Sequence, residues 1–260
     1  MPHQIALDVP CVLTYAPSMP RLRSSLLIIA LGAALAHADV TTTLSGSSLV
    51  VTGDSSPDVV TIAGAPDGIV VSGSNGTLVD GSAVGVSVPG VEKLTVKLRQ
   101  GDDRLTLMNV TLSQGITVRL GRGNDSVEFD EVYGGAVTIQ TGNGYDGVFV
   151  YGPSTLNNLW VGTSNGDDLV VVGGTWVRGD VNIDTGADDD QVHVVATQIG
   201  DDLDVHMGND DDVLVLEDVT VDDHAHLDGD DGNDALFLYG YLWFGDDLDI
   251  DGFGDDDWWW

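Results

Sequence analysis

The chain has 260 residues and a formal net charge of -33, because 42 Asp and Glu residues outnumber 9 Lys and Arg residues. Nucleic acids and anionic membrane surfaces would repel such a protein, so the charge excludes both as partners and favours cations. The hydrophobic content of 42% suffices for a packed core, which excludes a disordered acidic tail.

Residues 1–38 predict a leader that contains a secretory signal peptide. Arg21 and Arg23 form a basic start, residues 26–35 are apolar, and residues 36–38 read Ala-His-Ala, a small-residue cleavage site. The apolar run is too short to cross a membrane, so no transmembrane segment is expected in the mature chain. We therefore expect a protein that is secreted or held at the cell surface.

Met19 suits this signal better as a start than Met1 does, and cleavage is expected after Ala38. The only cysteine, Cys11, then lies in the part that is removed. Disulfides cannot brace the mature chain, so another interaction has to do so.

Residues 39–100 predict diverged N-terminal coils, or a cap, for the repeat that follows. Residues 58–62 read Asp-Val-Val-Thr-Ile, which is the Asp-x-apolar-x-apolar phrase of that repeat. Asp58 precedes Asp103 by 45 residues, which predicts a distance of two coils. Terminal repeats have to cover the exposed edges of their sheets, and this stretch is less charged than the rest.

Residues 101–260 contain a repeat of about 22 residues. Its most regular feature is an aspartate, here called the anchor aspartate, which is followed by apolar residues two and four positions later. Alternation with period 2 predicts a strand that carries both apolar residues on one face. The anchor aspartates are Asp103, Asp125, Asp146, Asp168, Asp190, Asp212, Asp234 and Asp256.

A second apolar pair, such as Val181 and Ile183, completes most coils. A single apolar residue, such as Val177 or Ile199, lies between the two pairs and predicts a corner or a third short strand. Such a coil cannot bury its own apolar face, but coils stacked at about 4.8 Å form a continuous core. The predicted fold is all-β, a parallel β-helix or β-solenoid with Asp- and Gly-rich turns.

Stacking in register places each anchor aspartate about 4.8 Å from the anchor of the next coil. Two unit charges about 5 Å apart repel by roughly 3 kcal/mol at an effective dielectric constant near 20. No Lys or Arg follows Arg178, so salt bridges cannot neutralise the last coils. Either many of these carboxylates are protonated or cations lie between them.

Calcium fits the second option, because it takes six to eight oxygen ligands and tolerates irregular geometry, whereas magnesium demands a strict octahedron. Glycines beside the anchors allow tight turns that direct backbone carbonyls at an ion. The predicted calcium ligands are Asp103, Asp125, Asp146, Asp168, Asp188, Asp190, Asp210, Asp212, Asp234 and Asp256.

The sequence Gly-Arg-Gly-Asn-Asp-Ser-Val-Glu-Phe at residues 121–129 resembles the nonapeptide of RTX (haemolysin-type calcium-binding) proteins, as do residues 142–150 and 231–236. The resemblance extends over residues 101–260. It implies that glycine-rich turns bind calcium between stacked coils of a parallel β-roll, with the Asp as a ligand. RTX rolls carry two such motifs in a coil of about 18 residues, whereas this chain carries one in about 22.

Two classes of function remain open. The favoured class is a non-enzymatic structural or adhesion module whose folding depends on extracellular calcium, at about 10⁻⁴–10⁻³ M for such modules. Its expected partners are calcium ions and a polysaccharide or protein of the cell surface or matrix. Whether copies of the chain associate end to end through the strand at Trp258–Trp260 is left open by the sequence.

The alternative is a polysaccharide-active β-helix similar to pectate lyases, which would need a cleft with a basic residue beside the acidic cluster. Arg119 and Arg122, near Asp125, are the candidates for that role. The aspartates also allow a simpler interpretation, as a solvated face that keeps the protein soluble. His206 and His226 fall in neighbouring outward columns, but their spacing matches no zinc motif, so solvated histidines are expected.

Overall fold

The structure, a computed structural model, describes residues 38–254. All regular structure in this range is β-strand, as the sequence predicts. The first eight strands are β1 (Asp39–Ser45), β2 (Ser48–Thr52), β3 (Val59–Ala65), β4 (Gly68–Gly73), β5 (Leu78–Val79), β6 (Val86–Pro89), β7 (Lys93–Gln100) and β8 (Arg104–Met108). The next nine are β9 (Ile116–Arg122), β10 (Ser126–Asp130), β11 (Val137–Asn143), β12 (Gly147–Tyr151), β13 (Thr155–Leu156), β14 (Leu159–Asn165), β15 (Leu169–Gly173), β16 (Trp176–Val177) and β17 (Val181–Ala187). The last nine are β18 (Gln191–Val195), β19 (Gln198–Ile199), β20 (Leu203–Asn209), β21 (Val213–Glu217), β22 (Thr220–Val221), β23 (Ala225–Asp228), β24 (Ala235–Tyr239), β25 (Trp243–Phe244) and β26 (Leu248–Asp251).

Each coil from β12 onward contributes one strand to each of three sheets and pairs in parallel with its neighbours, whereas the two preceding coils make only single bridges at Thr111 and Tyr133 in the third position. The strand that follows the anchor aspartate enters a 10-stranded sheet, a two-residue strand enters a 5-stranded sheet, and the third strand enters an 11-stranded sheet. Equivalent residues pair directly, as Val170, Val192 and Leu214 do across β15, β18 and β21. The β-solenoid is therefore confirmed, and the third short strand is real.

The core is a continuous stack of the alternating apolar residues that the repeat predicts. Val192 and Val194 in β18, and Val181 and Ile183 in β17, are all buried, and Ile199 in β19 closes the same coil. The apolar side chains of one coil are covered by the coils above and below it. Their burial, worth about 25 cal/mol per Å² of apolar surface, therefore requires stacked coils.

The N-terminal end differs from the expectation of two coils between Asp58 and Asp103. Strand β3 pairs directly with β8, and Val59 lies opposite Arg104, so Asp58 and Asp103 occupy adjacent coils. The additional residues form antiparallel strands: β3 pairs with β4, and β4 pairs with β6. The 45-residue spacing is thus one coil with antiparallel strands inserted, and these strands extend the 10-stranded sheet at its end.

Several predictions fall on residues outside the described range. They concern the signal peptide, the anchor Asp256 and the strand at Trp258–Trp260. Within residues 38–254, the structure contains no helix of the length and apolarity that a membrane crossing requires.

Candidate functional site: the aspartate columns of the turns

The anchor aspartates lie immediately before the strands of the 10-stranded sheet, and their side chains point into the solenoid. Their exposed fractions lie between 0% and 4%. This burial was not expected, because the sequence suggested carboxylates at the turn that are accessible to ions. The buried anchors of the described residues are Asp58, Asp103, Asp125, Asp146, Asp168, Asp190, Asp212 and Asp234.

One carboxyl oxygen of each anchor from Asp103 to Asp234 binds the backbone of the preceding coil. The N–H of Asp168 donates to Oδ1 of Asp190, and the N–H of Asp190 donates to Oδ1 of Asp212, both at 2.7 Å. The same bond, at 2.7–2.8 Å, joins every successive pair from Asp58 to Asp234. A buried N–H without an acceptor is costly, and the anchor of the next coil supplies that acceptor.

A backbone bond of opposite direction accompanies each of these contacts. The N–H of Gln191, the residue after an anchor, donates to the carbonyl of Asp168 at 2.9 Å. Two neighbouring coils are therefore joined at the anchor by two hydrogen bonds, one from the backbone ladder and one from the aspartate side chain. The anchor aspartate extends the ladder into the turn, where a regular strand would end.

The second oxygen of each anchor carboxyl is buried and has no hydrogen-bond partner in the protein. Five residues before three of the anchors, the buried threonines Thr141, Thr163 and Thr185 form a second inward column. The hydroxyl of Thr163 donates to the carbonyl of Thr185 at 3.0 Å, and that of Thr185 donates to the carbonyl of Met207 at 2.6 Å. Leu98 and Leu120 fill this position in earlier coils, so the carboxyls of those coils face an apolar interior, whereas the hydroxyls of Thr141, Thr163 and Thr185 act to lower the pKa of the anchors that follow them.

Burial is the main cause of a high pKa at every anchor. It raises the pKa of Asp103 and Asp125 to about 7, and that of Asp190 to about 8, and neighbouring carboxylates add to the rise. The hydrogen bond from the preceding coil acts in the opposite direction, because it stabilises the ionised form. Near pH 7 Asp190 is therefore mostly neutral, and Asp103 and Asp125 are about half protonated, so partial protonation, the first of the two options that the sequence left open, relieves part of the repulsion.

The anchor carboxyls do not fit a calcium site in this arrangement. One oxygen is engaged by a backbone N–H and the other points into the core, whereas calcium requires six to eight oxygen ligands. An ion in the core would find few oxygens beside the two stacked carboxyls. The exposed groups of the same turn are more accessible to calcium than the anchors are.

Exposed carboxylates occupy the outer side of the same turn. Asp188 and Asp210, two of the predicted ligands, are exposed and adopt left-handed backbone conformations with φ of 80° and 81°. The equivalent position in the coil before Asp188 is Gly166, whose φ is 115°. Asp189 and Asp211 stand beside them, and the N–H of Asp211 donates to Oδ1 of Asp189 at 3.1 Å. We call these four residues the outer turn carboxylates.

Glycine fills a second point of the turn in most coils, where the coils approach closely and φ is positive. Gly186 has φ of 112°, and a Cβ atom on it would lie 2.0 Å from the carbonyl oxygen of Ser164 in the preceding coil. Gly208 repeats this geometry against Gly186. The close approach explains why glycine recurs four residues before most anchors and keeps the turn narrow.

The opposite turn carries the less regular polar column that the sequence indicates. Nδ2 of Asn158 donates to Oδ2 of Asp180 at 2.9 Å, and the N–H of His224 donates to Oδ1 of Asp202 at 3.0 Å. These contacts bond one coil to the next and involve exposed or half-buried groups. Like the contact between Asp211 and Asp189, they join adjacent coils, but they involve fewer charged groups.

The arginines proposed for a lyase-like site do not form one with Asp125. Nε of Arg119 donates to Oε1 of Gln140 at 2.9 Å on the outside of the 11-stranded sheet. Asp125 is buried, so its carboxyl cannot reach a substrate together with Arg119 or Arg122. This arrangement gives the enzymatic alternative no support from the residues that suggested it.

Sequence reasoning missed two features of the inward columns. Asp58 was recognised as a repeat phrase but not as the first member of the buried anchor column. The column of Thr141, Thr163 and Thr185 was not noticed, although its spacing of 22 residues matches the repeat. A register alignment of every polar position, not only of aspartates, would have found it.

No model of a known protein family, no curated protein and no solved structure matches the chain. The fold and the site therefore define the class on their own. The chain is a parallel β-solenoid repeat protein with a buried aspartate column, and its likeness to RTX proteins is limited to the turn motif.

Replacement of one anchor separates hydrogen bonding from charge. Asp190→Asn keeps an oxygen for the N–H of Asp168 and cannot ionise, so at pH 8 its free energy of unfolding should equal or exceed that of the original. Asp190→Ala leaves that N–H without an acceptor and should cost about 1–3 kcal/mol. Urea unfolding in chelator measures both. Equal losses in the two variants would show that the carboxylate charge itself is needed, which contradicts this account.

Stability in chelator should increase as the pH falls from about 8 towards 5. The pKa of Asp190 is about 8 in the folded chain and 3.8 when exposed, so the folded state binds more protons over this range. The anchor's contribution is complete below pH 3.8 and is lost as the pH rises through about 8. Urea unfolding at a series of pH values should give a smaller slope for Asp190→Asn than for the neighbouring surface variant Asp189→Asn. Identical slopes would refute the assignment to the buried column.

Proposed function

We propose that the chain is a secreted structural or adhesion-type β-solenoid module that binds calcium along the outer sides of its acidic turns. The observation that carries the proposal is the division of the turn into two aspartate columns. The inward column closes the coils through hydrogen bonds, while the outer turn carboxylates Asp188, Asp189, Asp210 and Asp211 are exposed and occupy equivalent positions in successive coils, where the N–H of Asp211 contacts Oδ1 of Asp189.

The regularity of the repeat supports a structural role. From β7 to β26 the coils follow one another with a constant register and without long inserted loops. A catalytic cleft on a solenoid is usually built from such insertions, whereas a uniform surface suits a rod that spaces or displays binding sites. The predicted signal peptide, on residues outside the described range, supports action outside the cell.

Calcium fits the outer turn carboxylates better than the anchors. Each of Asp189 and Asp211 uses Oδ1 for a backbone N–H and has a second oxygen on the exposed side of the turn. The carboxylates of Asp188 and Asp210 and the backbone carbonyls of the turn add oxygens of the kind that calcium prefers. A bound ion would neutralise like charges in adjacent coils and so join those coils.

The charge distribution favours the last coils for this role. No Lys or Arg follows Arg178, so the acidic groups of these coils have no permanent cation within their own part of the chain. Extracellular calcium is abundant enough for modules with dissociation constants of about 10⁻⁴–10⁻³ M. Uptake of the ion after export would then add stability where it is needed.

Thermal unfolding at pH 8, followed by circular dichroism of the purified protein, tests this proposal. Calcium at about 10 mM should raise Tm by at least about 5 °C relative to chelator, and magnesium should raise it much less. The double variant Asp189→Asn and Asp211→Asn should lose most of this increase. The matched control Asp67→Asn, an exposed aspartate of the N-terminal hairpin, should keep it.

A Tm that does not respond to calcium would overturn the calcium part of the proposal and leave the outer carboxylates as a solvated face. An equal response in the double variant and in the control would overturn the assignment to these residues.

A further inference from the structure

Two histidines lie close together on the outward face of the 11-stranded sheet, and neither belongs to a zinc-binding sequence motif. His206 in β20 and His226 in β23 occupy neighbouring outward columns of adjacent coils, with ring centroids 5.4 Å apart. In one column, His226 lies between Asp204 of the preceding coil and Asp249 of the next coil. In the neighbouring column, Asp228 of the next coil lies opposite His206. The sheet therefore surrounds two imidazoles with carboxylates.

One nitrogen of each ring faces a carboxylate. Nδ1 of His206 lies 3.8 Å from Oδ2 of Asp230, and Nδ1 of His226 lies 3.8 Å from Oδ2 of Asp249. Metal-binding histidines usually present one nitrogen to the ion and donate the other N–H to a carboxylate, which orients the ring. In this structure the carboxylates face Nδ1 of both rings at distances longer than a hydrogen bond, which leaves Nε2 of each ring as the candidate ligand.

The remaining nitrogen of His226 faces a third acidic group. Its Nε2 lies 4.0 Å from Oδ2 of Asp228. One ligand atom from each of His206, His226 and Asp228 lies within 4.8 Å of the other two. Small rotations of these partly exposed side chains would bring all three to about 2.0–2.2 Å from a common ion, the usual distance for nitrogen and carboxylate ligands of zinc.

We propose that His206, His226 and Asp228 form a binding site for a divalent transition metal of the zinc class. Asp230 and Asp249 act as positioning residues through Nδ1 of the two histidines. Two imidazoles and one carboxylate are a ligand set for zinc, with a fourth position open to water or to a partner's ligand.

This site differs from the proposed calcium sites in chemistry and in place. Calcium prefers oxygen ligands only, and imidazole nitrogen selects against it. The histidines lie on the flat sheet, whereas the outer turn carboxylates lie at the turn. The metal would bridge β20 and β23, so it would join two adjacent coils near the C-terminal end of the described residues.

Isothermal titration of the full chain with zinc chloride tests the proposal, in a buffer with about 10 mM calcium so that oxygen-only sites are already supplied. One zinc should bind with high affinity. His226→Gln should weaken binding at least about 100-fold, because Nε2 is a ligand, and Asp249→Asn should weaken it about 10- to 100-fold, as loss of an orienting partner does. The control His193→Gln, an outward histidine of β18, should bind as the original does.

Cobalt(II) substitution provides a readout that a general loss of charge would not change. The original protein should give the visible absorption of a low-coordinate site with nitrogen ligands, Asp249→Asn should keep that spectrum at a higher cobalt concentration, and His226→Gln should lose it. Circular dichroism of each variant confirms that the fold is intact, which is expected because these side chains point outward. Zinc binding that survives His226→Gln, or that falls equally in His193→Gln, would overturn the site.

Discussion

The hydrogen bond from the backbone N–H of one anchor aspartate to Oδ1 of the next is the interaction on which the solenoid depends. It repeats at 2.7–2.8 Å from Asp58 to Asp234 and supplies an acceptor where the strand ladder stops. No cysteine follows Cys11, so no disulfide within residues 12–260 joins the coils, and this column of hydrogen bonds joins them instead. Its cost is a row of carboxyls in an apolar interior, and protonation reduces that cost.

The inward and outward aspartates of the turn have different roles. The inward aspartates are buried, bonded to the backbone and partly protonated near pH 7, so they join the coils with less mutual repulsion than a fully charged column would have. The outward aspartates, such as Asp189 and Asp211, are exposed neighbours at the surface and are the groups that we propose as cation ligands. A single Asp- and Gly-rich motif therefore supplies both a structural column and a candidate ion-binding edge, and its resemblance to RTX turns does not reveal which aspartate does which.

The period of the repeat predicted the fold well, because apolar residues that alternate with period 2 define both the strands and the core. The register, the third short strand at Val177 and Ile199, and the stacking of the anchors all follow from it. The direction of the anchor side chain did not follow from the repeat. A charged residue in a turn is expected to face water, and only the bonded N–H of the neighbouring coil explains the burial of the anchor. Asp58 was placed one coil too far away, because inserted antiparallel strands mimic a second coil in length. The approach of His206 and His226 was visible in the sequence, but the carboxylates on their Nδ1 atoms were not.

The pH titration of the anchor carboxyls themselves tests the account most directly. Carbon-13 labelled aspartate in the intact protein, in chelator, reports each carboxyl carbon by NMR, and single Asp→Asn variants assign the buried signals. The account predicts transitions near pH 7 for Asp103, Asp125 and Asp212, and near pH 8 for Asp190. Transitions of these same carboxyls near 3.8, the ordinary value for an exposed aspartate, would contradict it, because they would show charged side chains in contact with water instead of a neutral column inside the solenoid.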